Sequence, residues 1–188
     1  EQVWDDVDAA DEGVTDLGAD NTIGYEGTFS GVTASASYAR MGVGTDKSLV
    51  LMSDSLMDGL SVGYGMGTNV VTFSTEDDMT TAWAKYTAGA VTAGVQLSSI
   101  DKTAANSDVD RQHIAVSFAV NENLSISYGI SEVEYELSTK SDEESSGFSA
   151  SYTMGSMTIG AVANMSDNVT GTAGTDYSFT EVSVAFAF

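Results

Sequence analysis

Leu124-Ser125-Ile126-Ser127-Tyr128-Gly129-Ile130 alternates without a break: the even positions are apolar and the odd ones are Ser or Gly. A period of two puts one class of side chain on each face of an extended strand. The pattern recurs on both sides of this stretch. Upstream, Val32, Ala34, Ala36 and Tyr38 alternate with Thr33, Ser35 and Ser37. Leu60, Val62, Tyr64 and Met66 alternate with Ser61, Gly63 and Gly65, and Val91, Ala93, Val95 and Leu97 with Thr92, Gly94 and Gln96. Ile114, Val116 and Phe118 alternate with Ala115 and Ser117. Downstream, Phe148, Ala150, Tyr152 and Met154 alternate with Ser149, Ser151 and Thr153; Met157, Ile159, Ala161 and Ala163 follow. Helix is a poor alternative, because Gly and β-branched residues interrupt every window and no i, i+3, i+4 stripe persists. The pattern predicts an all-β chain of about eleven strands.

The connections differ in length on alternate sides. Short turns are expected at Ser30-Gly31, Met57-Asp58-Gly59, Ala88-Gly89-Ala90, Asn121-Glu122-Asn123 and Gly155-Ser156. Longer polar segments are expected at Gly42 to Asp46, Thr72 to Asp78, Asp101 to Asp110, Glu132 to Ser146 and Ser166 to Asp176. Tight turns at one end and long loops at the other describe a transmembrane antiparallel up-and-down β-barrel with the short turns on the periplasmic side. No apolar run approaches the roughly 20 residues of a membrane-spanning helix, but a barrel strand needs only about 10 of alternating character. A soluble β-sandwich also alternates, so the pattern alone leaves a soluble all-β binding domain open.

Composition narrows the function. The chain has 28 acidic residues against 6 basic ones, a formal net charge of −22, and neither Cys nor Pro. The acidity argues against nucleic acid as a partner, since phosphate contacts need clustered Lys and Arg. It suits cations, or a surface bridged by divalent ions. The lack of Cys excludes disulfides, thiolate metal sites and a Cys nucleophile. The chain begins with Glu1 and shows no secretory leader, which predicts a processed or truncated product.

The C-terminus reads Glu181-Val182-Ser183-Val184-Ala185-Phe186-Ala187-Phe188. An aromatic last residue preceded by apolar residues at every second position resembles the assembly signal of bacterial outer-membrane proteins, carried here by Val182, Val184, Phe186 and Phe188. Asp20 to Tyr38, DNTIGYEGTFSGVTASASY, resembles the sixth and seventh strands of sixteen-stranded porins of the Rhodobacter type. The acidic stretch before it resembles the third loop of those porins, which folds inward and narrows the pore. The resemblance implies two parts: residues 1–20 as the constriction loop and residues 21–188 as C-terminal strands of one barrel. It implies a water-filled channel in the outer membrane for small hydrophilic solutes and ions, with lipid and lipopolysaccharide around it and two further copies in a homotrimer. Sixteen strands with their loops need roughly 300 residues. An open sheet leaves two unpaired edges, which lipid does not tolerate. The expectation is therefore that further strands, from a missing N-terminal portion or a second chain, complete the wall. A non-conducting barrel serving as anchor, adhesin or phage receptor is the alternative.

Within that frame, constriction residues are Asp5, Asp6, Asp8, Asp11, Glu12 and Asp16. Glu1 and Asp20 bring the segment to eight carboxylates without a base. They would set a cation preference or bind Ca²⁺ at the acidic loops. Strand parity nominates Glu26, Lys85, Gln96, Arg111, His113, Asn164 and Glu181 as pore-lining, with Trp83 sharing the parity of Lys85. A charge turned to lipid at mid-membrane costs about 2–4 kcal/mol, which favours the inward assignment. Arg111 and Arg40 also lie near enough to the outer loops to meet lipopolysaccharide phosphates. The plainer reading of all these residues is a solvated wall with no individual roles. Phe29, Tyr86, Phe118, Phe148, Tyr152, Phe186 and Phe188 suit interfacial girdles. No enzyme site is expected: His113, the single histidine, and Ser117 lie roughly 13 Å apart along one strand, too far for a nucleophile and its base.

Overall fold

The computed structural model describes residues 22–41, 44–72 and 75–187. They form β1 (Thr22–Phe29), β2 (Val32–Met41), β3 (Gly44–Met57), β4 (Leu60–Thr72), β5 (Thr75–Ala88) and β6 (Val91–Asp101). Then come β7 (Val109–Ala119), β8 (Leu124–Tyr135), β9 (Glu143–Met154), β10 (Met157–Asp167) and β11 (Tyr177–Phe186), with a short 3₁₀ turn, Val169–Gly171, between the last two. All eleven strands make one antiparallel sheet in which sequence neighbours are spatial neighbours. Among the described residues the sheet is not closed, and β1 and β11 are its edges. The predicted all-β, up-and-down architecture is the one observed.

Residue chemistry sets the short turns. Ser30 and Gly31 both have positive φ, 50° and 79°, the backbone of a two-residue hairpin turn whose twist matches that of the flanking strands. Ser53 Oγ, on the neighbouring strand β3 opposite Val32, donates to the Gly31 carbonyl at 2.8 Å and ties this turn to the next hairpin.

At the other end the strands run further than expected. β3 begins at Gly44, β5 at Thr75 and β9 at Glu143, so most of the predicted loops Gly42–Asp46, Thr72–Asp78 and Glu132–Ser146 is strand. Polar side chains do not prevent backbone pairing. Asn69 faces Asp77 and Val70 faces Glu76 in register, and the Val70 N–H also donates to Asp46 Oδ1 at 2.8 Å.

The two faces are opposite in character to those of a soluble protein. Leu97, Tyr128 and Phe148 are 51%, 48% and 45% exposed, while His113 and Ser166 are 6% and 1% exposed. Among the described residues the buried apolar set is only Ala39, Ile100, Val109 and Val133. Apolar side chains turned out and polar ones sheltered suit a surrounding hydrocarbon and an aqueous interior. Val32, Val62, Val95, Val116, Ile126, Ile159 and Val184 all share the apolar face, as the register along β2–β11 requires.

Candidate functional site

The candidate site is the polar face itself. Following the register, Trp83 pairs with Gln96, Gln96 with His113, His113 with Ser131, Ser131 with Ser145, and Ser145 with Ser166. A parallel row runs from Lys85 through Gly94, Ala115, Gly129 and Gly147 to Asn164. Apart from Trp83, whose indole lies along the wall, side chains in these rows are small or polar, so they leave room for water and offer it hydrogen bonds.

Much of this wall is knitted by hydroxyl pairs across strands. Ser37–Ser48, Thr81–Ser98, Ser127–Ser149 and Ser145–Ser166 lie at 2.8, 2.9, 2.7 and 2.7 Å between oxygens. Nearer the tight turns, Thr28–Thr33, Thr87–Thr92 and Thr153–Thr158 lie at 2.9, 3.0 and 3.1 Å. Each hydroxyl both donates and accepts, so a pair satisfies one bond internally and keeps lone pairs for solvent.

The seven residues nominated by parity lie on this one face. Four of them gather on three neighbouring strands: Lys85 on β5, Gln96 on β6, and Arg111 and His113 on β7, with Trp83 beside them. A hollow of about 660 Å³ lies here, lined by Trp83, Lys85, Gln96, His113, Ser127 and Ser149 among others. Gln96 Nε2 donates to Ser98 Oγ at 3.3 Å. The indole of Trp83 is laid across β4: an added Cβ on Gly63 would stand 2.3 Å from Nε1. Only glycine at 63 leaves that space. The other three stand apart. Glu26, on β1, accepts from Ser35 Oγ at 2.9 Å. Asn164, 3% exposed on β10, sits between Gly147 and Phe179. Glu181, on β11, faces Val162 on β10.

The constriction residues Asp5, Asp6, Asp8, Asp11, Glu12 and Asp16 lie outside the described residues, as does Phe188. Of the assembly signal, Val182, Val184 and Phe186 occupy the apolar face of β11 and are exposed. Among the described residues no three His, Cys, Asp or Glu side chains are placed to hold a metal ion.

Parity reasoning missed a cluster at the outer end of the polar face. Glu143, 3% exposed, accepts from the Thr170 N–H at 2.9 Å and from Tyr135 Oη at 3.4 Å. Lys140 Nζ lies 4.2 Å from the centroid of the Tyr135 ring. The available signal was the parity Glu143 shares with Ser145, Gly147 and Ser149, but a run of acids reads as loop.

The family model for Gram-negative porins matches residues 4–171. No curated protein matches the chain. Among solved structures it is similar to the anion-selective porin from Comamonas acidovorans, at TM-score 0.75 and 17% identity, over 96% of this chain and 64% of that one. A variant of the Rh. blastica porin is similar at TM-score 0.65 and 15% identity, over 89% and 55%. OmpT of Vibrio cholerae is similar at TM-score 0.61 and 14% identity, over 88% and 64%. The chain thus spans 55–64% of the length of these three structures. At such identities the likeness is one of fold.

Proposed function

Because the chain belongs to the Gram-negative porin family of the bacterial outer membrane, we propose that it forms a large part of the wall of a water-filled channel through which small hydrophilic solutes and ions diffuse passively. The observation that carries this reading is the inverted sheet. A face of Leu, Val and aromatics is exposed, while the opposite face is an array of paired hydroxyls with isolated charges. A merely structural anchor has no use for such a wall, which would be filled by larger side chains in a barrel without a lumen. Transport of this kind needs no turnover, and selectivity follows from width and lining charge. The acidic first segment gives the channel a preference for cations. A neighbour of the same architecture is named for anion selectivity, so the sign is set by side chains and not by the fold. Lipopolysaccharide around the outer rim and two further copies in a trimer complete the proposed assembly.

Planar-bilayer recording on the complete native protein tests the reading. Stepwise ohmic conductance increments are expected from protein whose gel mobility is heat-modifiable. Correctly folded, heat-modifiable protein that gives no conductance would refute the channel and leave the anchor, adhesin or receptor reading.

A further inference from the structure

The connection between β10 and β11 reads Asn168-Val-Thr-Gly-Thr-Ala-Gly-Thr-Asp176. Nothing in it is large enough to build a core, and such a segment is expected to stand in solvent. The structure sets its start against the sheet instead: Gly171 is buried and Asn168 and Val169 are half-buried, while Thr170 and Thr172 to Asp176 are exposed. Asn168, Thr170 and Gly171 take positive φ of 56°, 58° and 73°. That conformation is tolerable for Asn and unfavourable for β-branched Thr, so surrounding contacts must impose it.

Glu143 supplies the main one. Its Oε2 accepts from the Thr170 N–H at 2.9 Å, and Tyr135 Oη donates to the same oxygen at 3.4 Å. Further bonds fix the segment to its neighbour: Ser141 N–H donates to the Gly171 carbonyl at 3.0 Å, and Asn168 Nδ2 to the Asp142 carbonyl at 3.0 Å. Gly171 is buried, and an added Cβ would stand 2.8 Å from Lys140 Cδ and 3.0 Å from Tyr135 Cε2.

The register says which side this is. Glu143 pairs with Val133, Val133 with Arg111, and Arg111 with Ser98, all on the polar face. The segment therefore bends over the inner wall at the outer end of the sheet, where it meets a buried carboxylate. A hydrogen bond to a charged acceptor is among the stronger ones available.

Resting on the channel reading, we propose that Glu143 is a positioning residue that holds the start of the β10–β11 connection, Asn168 to Gly171, over the inner wall and thereby sets the size limit at the outer mouth. The solutes it excludes are uncharged hydrophilic molecules too wide for the gap, since the segment carries little charge of its own.

The test uses the complete native protein and the variants E143A, E143Q and G171V, each first shown to be heat-modifiable. Hydrogen exchange at the Thr170 amide reports the latch, and the largest polyethylene glycol that enters the channel when added on the outer side alone reports the size limit at that mouth. In E143A the amide should exchange about tenfold faster or more, the worth of one bond to a charged acceptor, and larger polymers should enter. E143Q keeps an acceptor oxygen without the charge and should fall between wild type and E143A. G171V displaces the segment from the other partner and should behave like E143A. Unchanged exchange and unchanged polymer cut-off in both E143A and G171V overturn the proposal. Faster exchange with an unchanged cut-off overturns the size-limiting role. A folded wild type that carries no current refutes the channel reading instead, and the exchange measurement still decides whether Glu143 holds the segment.

Discussion

Trp83 and Gly63 show how one missing Cβ shapes the inner wall. The indole occupies the volume a side chain at 63 would need, 2.3 Å from Nε1 and 2.4 Å from Cε2. G63V therefore forces the ring off β4 and into the space in front of the polar face, the lumen of the proposed channel. Because the displaced group is the far end of a side chain, the cost should be modest, about 1–3 kcal/mol for an overpacked site. Transport should suffer more than stability. We expect a lower single-channel conductance and a red-shifted tryptophan emission. The chain's other tryptophan is Trp4, and a W4F background removes its contribution. Unchanged conductance and emission would show that the indole already stands in the lumen. The hydroxyl pairs obey the opposite logic. Removing one partner of Ser127–Ser149 leaves a hydroxyl that water can satisfy, so the loss should stay near the 0.5–1.5 kcal/mol of an ordinary exposed bond.

Single strands carry the two-sidedness on which everything else rests. Val95 is 40% exposed on the apolar face of β6, and Gln96, the next residue, points into the polar hollow. Of the single-cysteine variants V95C and Q96C in a cysteine-free chain, only Q96C should react with a water-soluble maleimide in membranes. V95C should react with a lipid-soluble reagent instead. V95R should cost about 2–4 kcal/mol and Q96R much less, since only the first puts a charge in lipid. Equal reactivity of both cysteines would contradict the barrel. This level was also the most legible in the sequence. Leu124–Ile130 and its relatives gave strand positions and the sorting of faces, because a period of two survives without knowledge of neighbours. Outer strand ends were not legible. Glu76 and Asp78, or Glu132 and Glu134, are strand residues, but an acid in sequence looks like a loop whether or not its backbone is paired. The Glu143 cluster was hidden for a deeper reason: it depends on which residues oppose one another, and on a connection returning over the wall. Both are matters of register, which no single strand contains.

For the whole molecule the decisive quantity is charge and where it lies. Much of the net −22 sits on the outward face near the outer rim. There Asp78 opposes Asp101, Asp110 opposes Glu134, Glu132 opposes Glu144, and Glu144 opposes Asp167, all exposed. Like charges directly opposite one another destabilise a sheet by a few tenths to about 1 kcal/mol per pair. Salt should therefore stabilise this protein: the heat-modification midpoint should rise from low ionic strength to 0.5 M NaCl, and E132Q/E144Q should raise it most at low salt. A midpoint independent of salt would mean the repulsion is already neutralised. Those carboxylates point away from the lumen, so they should have little influence on the ions that pass. On the inner face the described charges are mixed, with Lys85 and Arg111 against Glu26, Asp46, Asp77, Glu143 and Glu181. On the proposed reading selectivity then falls to the first twenty residues, with eight carboxylates and no Lys or Arg. In a narrow passage with low-dielectric walls the field of such groups is focused. Cations should be preferred in a salt gradient, and the preference should fade as the Debye length shrinks from about 10 Å at 0.1 M to about 3 Å at 1 M. Basic residues on the wall, Arg111 among them, should keep that preference moderate. Converting Asp5, Asp6, Asp8 and Asp11 to Asn should shift the reversal potential toward zero, whereas E132Q/E144Q should leave it in place. An anion-selective wild type, or a fourfold variant with an unshifted reversal potential, would place the acidic segment outside the conducting path. If instead the rim variant alone moved the potential, the field at the mouth and not the constriction would be what sorts the ions.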